Sequence, residues 1–235
     1  MTPKFGIDYA WGKPSIPALK AAKVAFVCRY LSHDPGKNLT GPEALGLHRA
    51  GLEIVTVWES TATRALDGHA AGVADAKAAL DQLHQIGAPH GVPVFFAVDF
   101  DPGAHSYQTD AYFDGAASVL GKARVGMYGG YNAVSRHLYR GFLYAWQTYA
   151  WSGGKWHPRA HLRQYDNGKE LAGVSCDFNQ AVAPDYGQWK YVITRPAKKP
   201  NIAARIVRSL RLGGFSAPQS NQILADAKRG GLKTN

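Results

Sequence analysis

Short β-rich runs alternate with helix-like stretches from residue 5 to about residue 139, and this rhythm constrains the fold more than any other feature. Phe5–Tyr9, Val24–Tyr30, Glu53–Trp58, Val94–Asp99 and Arg124–Tyr128 read as strands. Between and after them lie helical patterns over Ile16–Ala22, Gly41–Ala50, His69–Ile86, Ser106–Leu120 and Tyr131–Tyr139. Such alternation implies βαβ units and a parallel sheet. The strands are apolar on both faces, as in a sheet covered by helices outside and packed within. A closed barrel and a doubly wound open sheet both fit this half. Beyond residue 140 three further strands follow, Leu143–Thr148, Ala160–Tyr165 and Asp177–Val182, with no room for full helices between them. The predicted fold is therefore α/β: a distorted TIM-like (β/α) barrel with five βα units and three near-bare strands.

A helical hairpin is expected after the barrel. Residues 1–189 carry 17 Lys+Arg and 16 Asp+Glu, a net of +1, whereas residues 190–235 carry 10 basic residues and only Asp226, a net of +9. The predicted organisation is a barrel domain over 1–190, a linker over 191–200 (YVITRPAKKP lies here) and a basic appendage over 201–235. In the appendage Ile202, Ile206, Val207 and Leu210 line one face of a helix and Arg205, Arg208 and Arg211 another. So asymmetric a charge points to a polyanionic partner. Tyr191 and Phe215 are the only aromatics over 190–235, too few for a nucleic-acid-binding stretch, which leaves a membrane surface or an anionic cell-wall polymer.

Other classes are disfavoured. No apolar run approaches the roughly 18 residues of a transmembrane helix, and the N-terminus lacks the pattern of a secretory signal peptide. A classical leader is therefore not expected to carry the chain out of a cell. Cys28 and Cys176 make no disulfide framework, the nine His form no zinc-binding spacing, and no phosphate-binding glycine loop occurs. Neither a metal nor a cofactor is expected.

The informative residues are acids at strand ends. Asp8 ends the first strand, Glu59 the third, Asp99 and Asp101 the fourth, and Asp177 opens the last. On an extended strand, residues two apart point to one face, with Cα atoms about 6.5–7 Å apart. Each acid alone is as readily a loop cap or half of an ion pair. Together, at corresponding strand ends, they gather at the barrel mouth where active sites are built. Paired carboxylates suit glycoside cleavage, which needs one acid protonated and another ionised. Aromatic residues near the same ends, Tyr9, Tyr30, Trp58, Tyr128 and Tyr165 among them, suit pyranose faces.

FGIDY, VFFAVDFD, VGMYGGYNAV, LRQYDNG and VSCDFNQA, in this order over about residues 4–185, resemble glycoside hydrolase family 25 lysozymes. They are still more similar to related glycoside-hydrolase-like domains of unknown function from actinobacteria and their phages. The resemblance implies a muramidase-type barrel without cofactor, of the endolysin kind, acting on peptidoglycan glycan strands. Such a lysin would be made in a host cytoplasm, reach the wall through another protein's pore and be held on anionic wall polymers by its basic tail. By motif position Asp8, Asp99 and Asp177 match the family's aspartates, Tyr128 its strand-five tyrosine, and Gln164-Tyr165 its Trp-Gln-Tyr segment, with Arg163 replacing the tryptophan. Where the family has its general-acid Glu this chain has Asp101, one methylene shorter. The expected catalytic set is Asp99, Asp101, Asp8 and Asp177, with Asp101 as general acid. Glu59, Tyr9, Tyr30, Trp58, Tyr128, Gln164 and Tyr165 are the expected substrate contacts. The alternative is a barrel that binds wall glycan without cutting it, which the change at residue 101 supports.

Overall fold

The computed structural model describes residues 2–190 and 202–231. The chain forms two compact units that divide between residues 191 and 192. The first is a closed barrel of eight strands in sequence order, β1 to β8. These are β1 (Lys4–Tyr9), β2 (Phe26–Leu31), β3 (Glu53–Trp58), β4 (Val94–Ala97), β5 (Val125–Gly129), β6 (Tyr144–Thr148), β7 (Leu162–Leu171) and β8 (Val174–Ala181). Helices α1 (Ile16–Ala21), α2 (Gly41–Arg49), α3 (Gly68–Gln85), α4 (Ser106–Leu120) and α5 (Tyr131–Tyr139) follow the first five strands. Ser15 and Thr40 cap α1 and α2 by accepting backbone N–H groups, and each helix has a proline in its first turn.

Side-chain alternation divides the apolar residues between two cores. Ile7, Val27, Ile54, Trp58, Phe96 and Met127 face outward to the helices. Phe26, Cys28, Val55, Val57, Phe95, Tyr128, Trp146 and Leu162 fill the barrel. At the N-terminal ends of the parallel strands the filling is a dry aromatic plug of Phe26, Phe95, Tyr144 and Tyr186. Two glycines make room for it. A Cβ on Gly6 would lie 2.3 Å from the Phe26 ring, and one on Gly126 2.6 Å from Phe95. Outside, a Cβ on Gly72 of α3 would lie 1.9 Å from the Tyr112 carbonyl oxygen of α4, so these helices cross in close contact.

Three features differ from the sequence reading. β8 runs antiparallel to both β7 and β1 rather than completing a parallel ring. The β7–β8 hairpin turns through Ala172 (φ 52°) and Gly173 (φ 80°), the paired positive φ of a tight hairpin. Asp177 therefore lies within β8 rather than opening it. Reversal nevertheless leaves it at the mouth, directly opposite Asp8 in register. β4 stops at Ala97, so Asp99 and Asp101 sit on the following loop and do not share a strand face. The Asp99 N–H bonds the Ala62 carbonyl at 3.3 Å instead of a neighbouring strand, and Pro102 then bars further pairing.

The second unit holds α6 (Ile202–Leu212) and α7 (Ala217–Arg229), packed on each other. Ser216 starts α7 with a reciprocal capping box to Gln219. The expected linker over 191–200 falls outside the described residues. No described helix is long and apolar enough to cross a membrane.

Candidate active site

At the C-terminal mouth of the parallel strands the barrel lining turns polar. Asp8 points inward and is 2% exposed. Its carboxylate accepts from the Tyr30 hydroxyl at 3.1 Å, the Gln164 amide at 3.0 Å and the Asn179 amide at 2.7 Å. The same Gln164 amide reaches Asp177 Oδ2 at 3.2 Å, and the Gly168 N–H fixes Asp177 Oδ1 at 2.8 Å. Gln164 is oriented in turn by the Tyr128 hydroxyl, which donates to its Oε1 at 2.8 Å. Trp146 Nε1 donates to Asn179 Oδ1 at 2.8 Å and so sets the amide that faces Asp8.

Crowded burial raises the proton affinity of these acids. Burial, with the Asp177 charge beside it, pushes the Asp8 carboxyl up to about 7 despite its three donors. Burial also raises Asp177. Asp99, half-buried, is raised by burial and by the neighbouring Glu59 charge, while Lys37 and the Tyr128 hydroxyl act in the opposite sense. Lys37 closes this side: its Nζ lies 3.0 Å from Glu59 Oε1, 4.8 Å from the Tyr30 ring centre and 5.6 Å from that of Trp11. A cleft of about 330 Å³ opens over the pair, bounded by Asp8, Tyr30, Trp11, Cys176 and Asp177.

The structure thus brings Asp8, Asp99, Asp177, Glu59, Tyr30, Tyr128 and Gln164 together, with Tyr9 at the edge of their cleft, and leaves Asp101, Trp58 and Tyr165 outside the cluster. Asp101 is exposed, accepts from the Gly103 N–H at 3.3 Å and lines a different cavity beside α4 and α5. Tyr9 borders the same cleft as Asp8, but its ring turns outward over the buried Arg29 and its hydroxyl donates to Glu43. Trp58, next to inward Val57, is 1% exposed and packs edge-on to His33, so no sugar can reach its face. Tyr165 follows inward Gln164 and lies outside against Phe178. Two residues that the sequence reading missed belong to the network. Asn179 was legible, two positions after Asp177 on the same strand face. Lys37 had no signal: a turn at Asp34, whose side chain accepts the Gly36 N–H at 2.8 Å, delivers it. Among the described residues no three His, Cys, Asp or Glu are grouped to hold a metal ion.

Residues 17–181 match the family described as Rv2525c-like, glycoside hydrolase-like domain. Rv2525c of Mycobacterium tuberculosis, provisionally assigned as a peptidoglycan hydrolase, is 31% identical over 200 residues, 78% of this chain and 82% of that protein. The crystal structure of that Tat-secreted protein in complex with L-tartrate superimposes with a TM-score of 0.75 at 29% identity, covering 79% of this chain and 98% of that one. The fold alone is shared with a muramidase from Trichobolus zukalii, at a TM-score of 0.54 and 13% identity, over 77% of this chain and 94% of that one. It is likewise shared with the modular autolysin LytC of Streptococcus pneumoniae, at 0.56 and 14%, over 76% of this chain and 46% of that one. The secretion of Rv2525c overturns one expectation, that of a leaderless protein made in a host cytoplasm and passed through another protein's pore. Export is the route its relative takes. The barrel, the matched span and the identity to Rv2525c together make this chain a member of the Rv2525c-like glycoside-hydrolase-like family.

Proposed function

We propose that this chain is a lysozyme-like glycosidase that hydrolyses the glycan strands of peptidoglycan. The observation that carries the reading is one polar cluster at the barrel mouth that crowds Asp8, Asp99 and Asp177 together, where burial raises the proton affinity of each. Rv2525c, which bears a provisional peptidoglycan-hydrolase assignment, supports the substrate class. Asp99 is the general acid: protonated, it gives its proton to the glycosidic oxygen as the bond to the anomeric carbon breaks. Positive charge that develops on the sugar is held by the Asp8–Asp177 pair, which shares the remaining proton. Water adds to the anomeric carbon and passes its proton to a mouth carboxylate. Glu59 keeps the Asp99 proton on, and Lys37 fixes Glu59. The +9 charge of residues 190–235 supports retention on anionic wall polymers.

A second reading, a glycan-binding barrel without hydrolysis, is favoured by Asp101, which stands outside the cluster where the family resemblance would put the acid. Release of reducing ends from purified peptidoglycan separates the two. Hydrolysis predicts release by the parent and a loss of about a hundredfold or more in Asp99→Asn. No release by the parent, at any pH between 4 and 8, supports the binding module.

A further inference from the structure

Asp101 lines a cavity of about 140 Å³ between the loop after β4 and the first turns of α4 and α5. Ser106, Thr109, Asp110, Asn132 and Arg136 share its wall, and none of these residues belongs to the mouth cluster.

The hydroxyls and charges of this wall are committed unequally. The Ser106 hydroxyl donates to the Gly103 carbonyl at 2.8 Å, and that of Thr109 to the His105 carbonyl at 3.2 Å. With those protons committed, both hydroxyls present lone pairs. Arg136, the one cation among the described residues of the wall, is held by Asp110 through Nε at 2.9 and 3.0 Å and through Nη2. Arg140 pairs with both Asp110 and Asp114, so these four charges balance. Asp101 has no cation within ion-pair distance among the described residues, and its only hydrogen bond is the one from the Gly103 N–H. Beside those hydroxyl lone pairs the cavity therefore carries one uncompensated negative charge, that of Asp101. Its best-matched ligand group is a compact cation that brings several donors.

We propose that this cavity binds a primary ammonium group, held by Asp101 with Ser106, Thr109 and Asn132 around it. On the substrate that group is the free amine of a diamino acid in a peptidoglycan stem peptide, an assignment that rests on the peptidoglycan reading above. Asp101 follows Asp99 by two residues, a separation of at most about 7 Å along the chain. A peptide branching from a sugar at the mouth can reach that far. Asp101 is then a substrate-selecting residue, which prefers peptide-bearing wall glycan over unsubstituted chains.

Two measurements on the full chain test this. In the first, n-butylammonium chloride is titrated while the side-chain amide of Asn132 is followed by NMR, with n-butanol as the neutral control. A saturable shift with the ammonium alone, abolished in Asp101→Asn, is expected; no shift, or a shift that persists in the variant, overturns the cavity's assignment. In the second, calorimetry compares a disaccharide-peptide that has a free diamino-acid amine with the same compound N-acetylated. Acetylation is expected to weaken binding to the parent about tenfold and to make no difference to Asp101→Asn. Equal affinity of the parent for both overturns the stem-peptide assignment. If butylammonium binds and neither muropeptide does, the ammonium site stands and the peptidoglycan reading falls.

Discussion

The two ends of the barrel interior are built from the same eight strands yet obey opposite rules. The lower end is an aromatic plug in which Phe26, Phe95 and Tyr186 are 0% exposed and glycines yield space to rings. The upper end sets Asp8 directly opposite Asp177, an arrangement of like charges that weakens a sheet. The lower end thus supplies stability that offsets the cost of the crowded upper end. The contrast teaches which half of the lining is free to change for stability and which is held for function.

The largest effect should come from the plug. Phe95→Ala is expected to cost about 3–5 kcal/mol in urea unfolding, because a ring is removed from a close-packed interior. A loss below about 1 kcal/mol, the size expected of an ordinary surface change, would dissolve the contrast.

At the mouth the sign reverses. Asp8→Asn should raise stability by about 1–3 kcal/mol at pH 7. An acid whose folded pKa lies above its unfolded value favours folding fully below the unfolded pKa, and that contribution is lost as pH rises towards about 7. The advantage of Asp8→Asn should therefore shrink as pH falls from 7 to 4. His137, buried against Phe142 and pushed down to about 3, works the other way: its contribution is present above 6.5 and lost as pH falls. Only the parent-minus-variant difference isolates Asp8, and a difference independent of pH would contradict the burial argument.

Lys37→Met sharpens the division within the mouth. Lys37 restrains the rise of Asp99, so its removal should move the alkaline limb of the hydrolysis rate upward by about half to one pH unit. An unmoved limb would separate Lys37 from the acid. The smallest effect concerns the second unit. Arg208, Arg211, Lys228 and Arg229 changed together to Gln should leave unfolding of the barrel within about 0.5 kcal/mol. The same change should weaken retention on anionic wall polymers most at low salt. Retention that is insensitive to both charge and salt would refute an electrostatic hold.

Much of the fold was legible because period and connection length are local properties. The shortened rhythm after residue 140 carried the three near-bare strands. The reversal of β8 was not legible, since a hairpin over Ala172–Gly173 depends on backbone angles that the pattern does not announce. The same limit applied to the site. Asp8 and Tyr9 are adjacent, as are Val57 and Trp58, so in each pair only one side chain can face the barrel interior. Reading aromatics by nearness to strand ends ignored that alternation, although the sequence contained it. The loop that carries Asp99 to the mouth and Asp101 to the neighbouring cavity is set by the Ala62 contact, which is non-local. Lys37 entered by a turn 22 residues from Glu59, a pairing that only tertiary structure fixes.

Central to the mouth is a proton kept on Asp8 near neutral pH by burial and the Asp177 charge beside it. Titration of the aspartate side-chain carboxyl carbons by ¹³C NMR measures it directly. The account predicts a transition near pH 7 for Asp8, coupled to that of Asp177, with Asp99 above the ordinary aspartate range. Transitions for all three at or below the ordinary aspartate value of 3.8 would contradict it.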